Sequence, residues 1–253
     1  MTSSERVLRG SSLVVSAAGA TDTGRVRDHN EDSLLVTGRV FVVADGMGGH
    51  AGGEVASRIA VEALAGLEDS APRHPQDVTA ALHTANERIL AAAAADPALR
   101  GMGTTATGLV LVDDGDREQW VVLNVGDSRV YRLADQRLEQ LTRDHSEVAE
   151  LVAAGLLEPA DVATHPRRNV ITRSLGTDPG PEPDVRALDP APGECFLVCS
   201  DGLTNEIDDG EVLHLLEQHP EPQEAADALV TAAVRAGGRD NVTVVVVAVR
   251  EGE

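Results

Sequence analysis

The chain has 253 residues and a formal net charge of −21, with 42% hydrophobic but only 2% aromatic residues. This length and apolar content predict one folded domain whose core is built from aliphatic side chains, and they exclude a disordered chain. The acidic balance excludes nonspecific binding to nucleic acid or anionic lipid, because phosphate groups attract surfaces rich in Lys and Arg.

The N-terminal residues, Met1 to about Gly10, are polar and irregular, and they predict a flexible tail. From residue 11 onwards, short Val-rich runs alternate with Gly, Asp and Asn, which indicates strands joined by turns. We predict strands at Leu13 to Ala18, Ser33 to Thr37, Val40 to Ala44, Thr104 to Val112, Gln119 to Val125, Val130 to Leu133, Leu138 to Leu141, Glu194 to Cys199 and Val242 to Val249.

Two pairs of amphipathic helices interrupt these strands, because apolar residues recur there at helical spacing. The predicted helices are Glu54 to Leu67, Pro75 to Ala95, about Asp209 to Gln218, and Pro222 to Ala236. Strands grouped around two helix pairs favour an α+β fold, a four-layer αββα sandwich of two antiparallel sheets flanked by helix pairs. Residues 11–253 would then form a single domain.

The polar segment from Thr142 to Leu175 has no strong strand pattern and carries one helix-like stretch, Ser146 to Ala154. It is either a flap beside a site or an ordinary surface connection. The sequence gives His145 and His165, which lie in this segment, no role beyond that of polar surface residues.

Cys195 and Cys199 are the only cysteines, and both lie in one apolar run. On a strand they would be about 13 Å apart, beyond the reach of a disulfide. Two buried free thiols suit a reducing, cytoplasmic environment. No apolar stretch approaches the roughly 20 residues of a membrane helix and no signal segment is evident, so we expect no membrane attachment by this chain itself.

Acidic residues recur in short motifs at the ends of the predicted strands. Asp45 and Asp201 each follow an apolar run, and Asp240 precedes one. Because strand ends are rigid platforms, carboxylates far apart in sequence can converge at one end of a sheet. Hard cations such as Mg²⁺ or Mn²⁺ prefer oxygen ligands and retain several waters, so the pattern predicts a multi-metal carboxylate site that activates water.

Gly46, directly after Asp45, is the most specific local signal. A glycine there lets the main chain turn sharply and bring its carbonyl oxygen to a cation held by the carboxylate. The Gly-rich loop could instead cradle a phosphate at the N-terminus of the next helix, although no Gly-Lys-Ser or Gly-Lys-Thr follows. Taken singly, Asp201 and Asp240 are also compatible with helix caps or turn residues.

Seven motifs follow one another in a fixed order: Arg27 to Asp32, Asp45 to Gly49, Gly103 to Thr105, Gly126 to Arg129, Leu141 to Ser146, Ser200 to Gly202, and Asp240 to Thr243. The series closely resembles that of the metal-dependent Ser/Thr protein phosphatases of the PP2C (PPM) type, particularly the compact bacterial members. The resemblance extends from about Val14 to Val249.

The resemblance implies roles for the matching residues. Asp45 corresponds to the carboxylate that bridges two Mn²⁺ or Mg²⁺ ions. Asp201 and Asp240 would complete the ligands of the first ion, and the Gly46 carbonyl would contribute to the second. The same resemblance gives Asp127, together with Asp201, a third and weaker ion in bacterial members.

Three further residues match the family around this centre. Glu31 and Asp32 correspond to positions that act mainly through metal-bound waters. Arg27 corresponds to the arginine that grips the substrate phosphate, and a planar guanidinium does offer two donors to two phosphate oxygens. A solvated surface cation is the alternative for Arg27.

The resemblance therefore implies a protein-serine/threonine phosphatase that uses a water activated between two metal ions and reverses Ser/Thr kinases. The implied partners are phosphorylated proteins and their kinases, and the family is typically monomeric. One alternative is a noncatalytic phosphoprotein-binding domain, against which the retained metal-ligand positions argue. A small-molecule phosphatase is the other alternative, since it shares all of the metal chemistry.

One position departs from many eukaryotic relatives, which place a histidine, the proposed general acid, after the Asp-Gly pair. This chain has Met47 there, and His50 lies three residues further on. Either His50 donates the proton, or His50 packs against or caps the next helix and a metal-bound water donates the proton.

Overall fold

Two antiparallel sheets carry most of the strands in the computed structural model, which describes residues 2–9, 11–48 and 52–252. With strands numbered in chain order, the six-stranded sheet runs β1 (Thr2–Val7), β2 (Leu13–Asp22), β13 (Val242–Glu251), β12 (Cys195–Cys199), β9 (Arg129–Ala134), β10 (Arg137–Gln140). The five-stranded sheet runs β11 (Asp184–Leu188), β8 (Glu118–Val125), β7 (Ala106–Asp113), β4 (Val40–Ala44), β3 (Ser33–Val36). A short separate pair joins β5 (Gly46–Met47) to β6 (Gly103–Thr104).

The helices flank these sheets. They are α1 (Gly52–Ser70), α2 (Pro75–Ala95), α3 (Glu147–Ala153), α4 (Asp201–Thr204), α5 (Asp209–Gln218) and α6 (Pro222–Ala236), with 3₁₀ helices at Pro97–Leu99 and Pro159–Thr164. In the part of the chain that the structure describes, none of these helices has the length and apolar character needed to cross a membrane.

The core consists of three apolar layers. Helices α1 and α2 pack on one face of the five-stranded sheet, the two sheets pack on each other, and α4, α5 and α6 pack on the outer face of the six-stranded sheet. Trp120 lies in the middle layer, with its ring edge-to-face to Phe41 and Phe196 at centroid distances of 5.8 and 5.6 Å. Because β4 is covered on both faces, its sequence is apolar throughout.

The predicted antiparallel sheets and helices are confirmed, and β4, α2, α5 and α6 have the predicted bounds. The predicted strand Thr104 to Val112 is divided at Thr105, because the Thr105 N–H donates to the Asp45 carbonyl oxygen instead of continuing a ladder. Strand β11 was not predicted, because its alternating polar sequence lies at a sheet edge with little burial.

The expected flexible tail is wrong for Thr2–Val7, which form β1. This strand pairs with β2 along its whole length, from Thr2 opposite Gly19 to Val7 opposite Val14. An edge strand is held by main-chain hydrogen bonds and needs few apolar side chains, so its polar sequence did not reveal it.

Glu118 ties this edge to the five-stranded sheet. Its side chain, only 1% exposed, forms an ion pair with Arg6 and lies 3.7 Å from Arg39 Nη1. It also accepts a hydrogen bond of 2.6 Å from the Arg9 N–H. A buried carboxylate with several cationic partners stabilises a fold only while all the partners are present.

We expect Glu118→Gln to lower the free energy of unfolding by about 1–3 kcal/mol, because Arg6 and Arg39 would lose their shared counter-charge. Urea denaturation at pH 7 measures the change. Glu5→Gln, which removes an equal charge from an exposed position of β1, serves as the control. An equal effect of the two substitutions would contradict the anchoring role of Glu118.

Candidate metal centre

Asp45 lies at the end of β4, where its main chain is held from both sides. Its N–H donates to the Thr105 hydroxyl at 2.9 Å. Its carbonyl oxygen accepts from the Thr104 hydroxyl and from the Thr105 N–H, both at 2.9 Å. The Gly103-Thr104-Thr105 motif thus fixes the backbone from which the Asp45 carboxylate projects.

Gly46 allows two other segments to approach this loop. A Cβ atom at Gly46 would lie 2.2 Å from the Gly53 carbonyl oxygen and 2.4 Å from that of Glu31, so only glycine fits. The Glu31 side chain lies against the first turn of α1, where a Cβ at Gly53 would be 2.6 Å from Glu31 Oε1. The Glu31 carboxylate therefore lies at the N-terminus of α1, where a bound phosphate would otherwise be expected.

Asp201 and Asp240 come from the six-stranded sheet. Asp201 opens α4 just after β12, and Asp240 precedes β13, the antiparallel neighbour of β12. Gly202 permits the close contact, since a Cβ there would lie 1.9 Å from the Asn241 carbonyl oxygen. Asp201 also lies close enough to Asp45 for its charge to raise the pKa of the Asp45 carboxyl group.

Asn241 fixes the loop between β2 and β3, which carries Arg27 and Glu31. Its Nδ2 donates to the carbonyl oxygens of Thr23 and His29, each at 2.9 Å. Its Oδ1 accepts from the Glu31 N–H at 2.8 Å. Sequence reasoning gave this residue no role of its own, because its partners are more than two hundred positions away.

Arg27 lies at the rim of the carboxylate cluster. Its Nη2 donates to Asp240 Oδ2 at 2.8 Å, and its Nη1 is 3.9 Å from Glu31 Oε2. The side chain remains 47% exposed. Arg27 is therefore tied to the cluster and also open to a ligand from solvent, unlike an isolated surface cation.

Asp32 and Asp127 complete the cluster. Asp32 Oδ2 accepts a hydrogen bond of 2.9 Å from the Ser200 hydroxyl. Asp127 is 8% exposed and follows Gly126, whose φ of +112° and contact with Thr105 both require glycine.

Burial and mutual repulsion raise the pKa values of these carboxyl groups. Burial, with added repulsion from Asp201 and Asp240, raises the pKa of Asp32 to about 7. Burial and then Asp201 raise that of Asp127, also to about 7. Burial, followed by the charges of its neighbours, lifts the pKa of Asp45 well above its usual range and raises that of Asp201 as well. A divalent cation would relieve this repulsion.

Within the described ranges, no three His, Cys, Asp or Glu side chains are gathered closely enough to enclose an ion by themselves. Cations such as Mg²⁺ or Mn²⁺ keep several waters and need few protein ligands each. Asp127 Oδ1 and Glu31 Oε1 are also buried without a hydrogen-bond partner in those ranges. The donor set thus fits hydrated divalent cations.

His145 is buried, at 4% exposure, and the sequence-based expectation of a polar surface residue is wrong. Its ring Nδ1 accepts from the Gly126 N–H at 3.1 Å, and its main-chain N–H donates to the Gly126 carbonyl oxygen at 2.9 Å. Beside it, Arg129 binds both oxygens of Asp144, with Nη2 to Oδ2 at 2.7 Å. These contacts brace the turn that carries Asp127.

Of the two positions considered for a general acid, Met47 is described and pairs with Gly103 in the short β5 and β6 sheet. Its thioether cannot donate a proton. His50 lies outside the described residues.

A cavity of about 280 Å³ opens beside Asp127 and Asp201. One wall is formed by residues between 146 and 169, including Arg168 and Asn169, and the other by α4 and Asn205. The polar segment that follows β10 therefore lies next to the carboxylate cluster.

Comparison with known proteins agrees with this geometry. The family described as "Protein phosphatase 2C" matches residues 22–234. Serine/threonine protein phosphatase PstP of Mycobacterium tuberculosis is 42% identical over 236 residues, 92% of this chain and 45% of that protein. Serine/threonine phosphatase stp of Listeria monocytogenes is 38% identical over 238 residues, 90% of this chain and 93% of that protein.

Among solved structures, the catalytic domain of PstP in complex with two manganese ions is 39% identical with a TM-score of 0.86, covering 94% of this chain and 99% of that one. The chain belongs to the protein phosphatase 2C family. It spans about half the length of the mycobacterial PstP proteins that it matches.

We expect Asp127→Asn to stabilise the protein at high pH in buffer with EDTA. Folding raises the pKa of Asp127 from 3.8 to about 7. Between these two pH values the folded state binds a proton that the unfolded state has lost. The contribution of Asp127 to stability is therefore present at low pH and is lost as pH rises from about 4 to 7. The free energy of unfolding should increase by about 1–3 kcal/mol at pH 8 and hardly change at pH 4.

Urea denaturation at the two pH values provides the measurement. Asp116→Asn, which removes an equal charge from an exposed hairpin position, is the matched control. If Asp127→Asn raises the free energy of unfolding equally at both pH values, or by no more than Asp116→Asn does, then the neighbouring charges do not repel the Asp127 carboxylate.

Proposed function

We propose that this chain hydrolyses phosphoserine and phosphothreonine on proteins with the help of Mn²⁺ or Mg²⁺. The observation that carries the proposal is the convergence of Asp45, Asp201 and Asp240 from two sheets, with Arg27 at their rim. Relatives named as Ser/Thr phosphatases, one of them with two manganese ions, support it.

In this proposal Asp45 is the ligand shared by two ions, Asp201 and Asp240 complete the first, and the Gly46 carbonyl serves the second. The position of Asp45 supports the sharing, because the charges of Asp32, Asp201, Asp127 and Asp240 all act on its carboxylate. Asp127 and Asp201 would hold a third, weaker ion, which would bind the unsatisfied Asp127 Oδ1. Glu31 and Asp32 would act through bound waters.

When bound, divalent cations lower the pKa of water and offset negative charge on phosphoryl oxygens. Arg27 supplies the recognition of the phosphate, since its guanidinium is anchored on Asp240 while nearly half of the side chain faces solvent. Without cations, Asp32 and Asp127 have pKa values near 7, and a bound divalent cation would favour their ionised forms.

The substrates, cellular location and domain organisation follow from the same proposal. The substrates are proteins phosphorylated by Ser/Thr kinases, whose action this chain would reverse as a monomer. The free thiols of Cys195 and Cys199 support a reducing, cytoplasmic location. Residues 11–253 act as one domain, and residues 142–175 serve as its flap, which the cavity between that segment and α4 supports.

We expect Asp45→Asn to reduce phosphate release from a phosphothreonine peptide by at least about 100-fold in Mn²⁺. The substitution removes the charge of the shared ligand and keeps its shape, so the fold should persist. The wild-type chain should lose activity in EDTA and regain it with Mn²⁺ or Mg²⁺. Asp116→Asn is the control for the loss of one negative charge. A wild-type chain inactive with either metal, or an active Asp45→Asn variant, would overturn the assignment.

Arg27→Ala should raise KM for the same peptide about 10-fold and change kcat much less, because a charged donor to the substrate phosphate is lost. Steady-state kinetics at saturating Mn²⁺ measure both constants. Arg25→Ala removes an exposed guanidinium from the same loop and should leave KM unchanged. If the two variants behave alike, Arg27 does not contact the phosphate.

A further inference from the structure

Asn86 is an unusual residue on α2. It is 5% exposed on a helix face that otherwise buries Val78, Leu82, Ala85 and Ile89. A buried carboxamide in an apolar face needs partners for its donor and its acceptor. The hydrogen bonds of its side chain go to main-chain groups of Gly176 and Thr177 and not to the carboxylate cluster.

Within the described residues, the hydrogen bonds of the Asn86 side chain all go to one loop. Oδ1 accepts from the Gly176 N–H at 2.7 Å and from the Thr177 N–H at 3.2 Å, while Nδ2 donates to the Thr177 carbonyl oxygen at 3.1 Å. The carboxamide thus hydrogen-bonds to two consecutive residues, Gly176 and Thr177, directly after the 142–175 segment.

The loop formed by residues 175–177 is hydrogen-bonded to β6. Leu175 and Thr104 exchange two main-chain hydrogen bonds, of 2.9 and 3.1 Å. The approach is very close, since a Cβ at Gly103 would lie 2.9 Å from the Leu175 carbonyl oxygen and one at Gly176 would lie 2.6 Å from that of Met102. A displacement of the loop would therefore be transmitted to β6.

Thr104 is also the residue whose hydroxyl holds the Asp45 carbonyl oxygen, at 2.9 Å. The β5 and β6 pair beside this contact has only two residues in each strand, which is too short to be rigid by itself. Repulsion from neighbouring carboxylates acts on the Asp45 side chain, so the main chain of Asp45 needs outside support.

We propose that Asn86 is a positioning residue for Asp45, acting through the 175–177 loop and Thr104. The proposal rests on the proposed function, in which Asp45 is the shared metal ligand. Asn86 would set how well the Asp45 carboxylate is placed for metal and catalysis, while substrate contacts at Arg27 stay unchanged.

The test compares Asn86→Leu, whose side chain has the same heavy-atom branching and no hydrogen-bonding groups, with the wild-type chain. We expect kcat to fall about 10-fold and Mn²⁺ affinity, measured by calorimetry without substrate, to weaken about as much. KM for the phosphothreonine peptide should stay within about two-fold. Asn86→Asp keeps the acceptor for both N–H groups but loses the donor to the Thr177 carbonyl oxygen, so its losses should be smaller than those of Asn86→Leu. Asn86→Ala, which removes all three hydrogen bonds without added bulk, provides the test if Asn86→Leu does not fold.

Val78→Ala is the matched control, because it weakens the packing of the same helix without touching the loop. It should lower thermal stability and leave kcat and Mn²⁺ affinity unchanged. Equal kinetic losses in Val78→Ala and Asn86→Leu would show that Asn86 has only a structural role.

A double-mutant cycle identifies the path. Thr104→Val removes the hydroxyl that holds Asp45, and its effect on kcat should be strongly non-additive with that of Asn86→Leu if both act through the same contact. Additive effects would overturn the path through Thr104. An inactive wild-type chain would refute the proposed function, whereas an active wild type with an unaffected Asn86→Leu variant would refute this inference alone.

Discussion

Mutual repulsion between carboxylates that folding partly withdraws from water is the constraint on which the site depends. The pKa values of Asp32, Asp45, Asp127 and Asp201 are all raised, because these groups lose hydration and their neighbours carry the same charge. Left to themselves, such side chains would move apart or carry protons. They stay together because the main chain beneath each is fixed by hydrogen bonds, as that of Asp45 is by two threonines.

The packing of the two sheets decides how these groups meet. Asp45 and Asp127 follow strands of one sheet, and Asp201 and Asp240 flank strands of the other. The apolar layer around Trp120 locks the sheets face to face. Any sliding of one sheet on the other would change the spacing between the two pairs of carboxylates, so stability of the core and geometry of the site are linked.

Glycine and small polar residues allow the loops around the carboxylate cluster to pack closely. Gly46 and Gly202 stand where other segments approach within a distance that no side chain allows. Asn241 and Asn86 each use one carboxamide to hold a loop by three hydrogen bonds. Carboxamides suit this purpose because they donate and accept at once without adding charge to an already acidic region.

The sequence by itself determined the elements with strong local patterns and the identity of the acidic motifs. Strand β4 and helix α2 were predicted with their observed bounds. Burial of a strand on both faces leaves a continuous apolar run, and burial of one helix face leaves apolar residues at helical spacing. Only the tertiary structure revealed strand β1, the break at Thr105 and the burial of His145. Each depends on a distant partner rather than on neighbours in sequence, such as the Asp45 carbonyl oxygen that ends a ladder 60 residues away. Contacts of that range leave no local pattern, so they emerge only when the chain has folded.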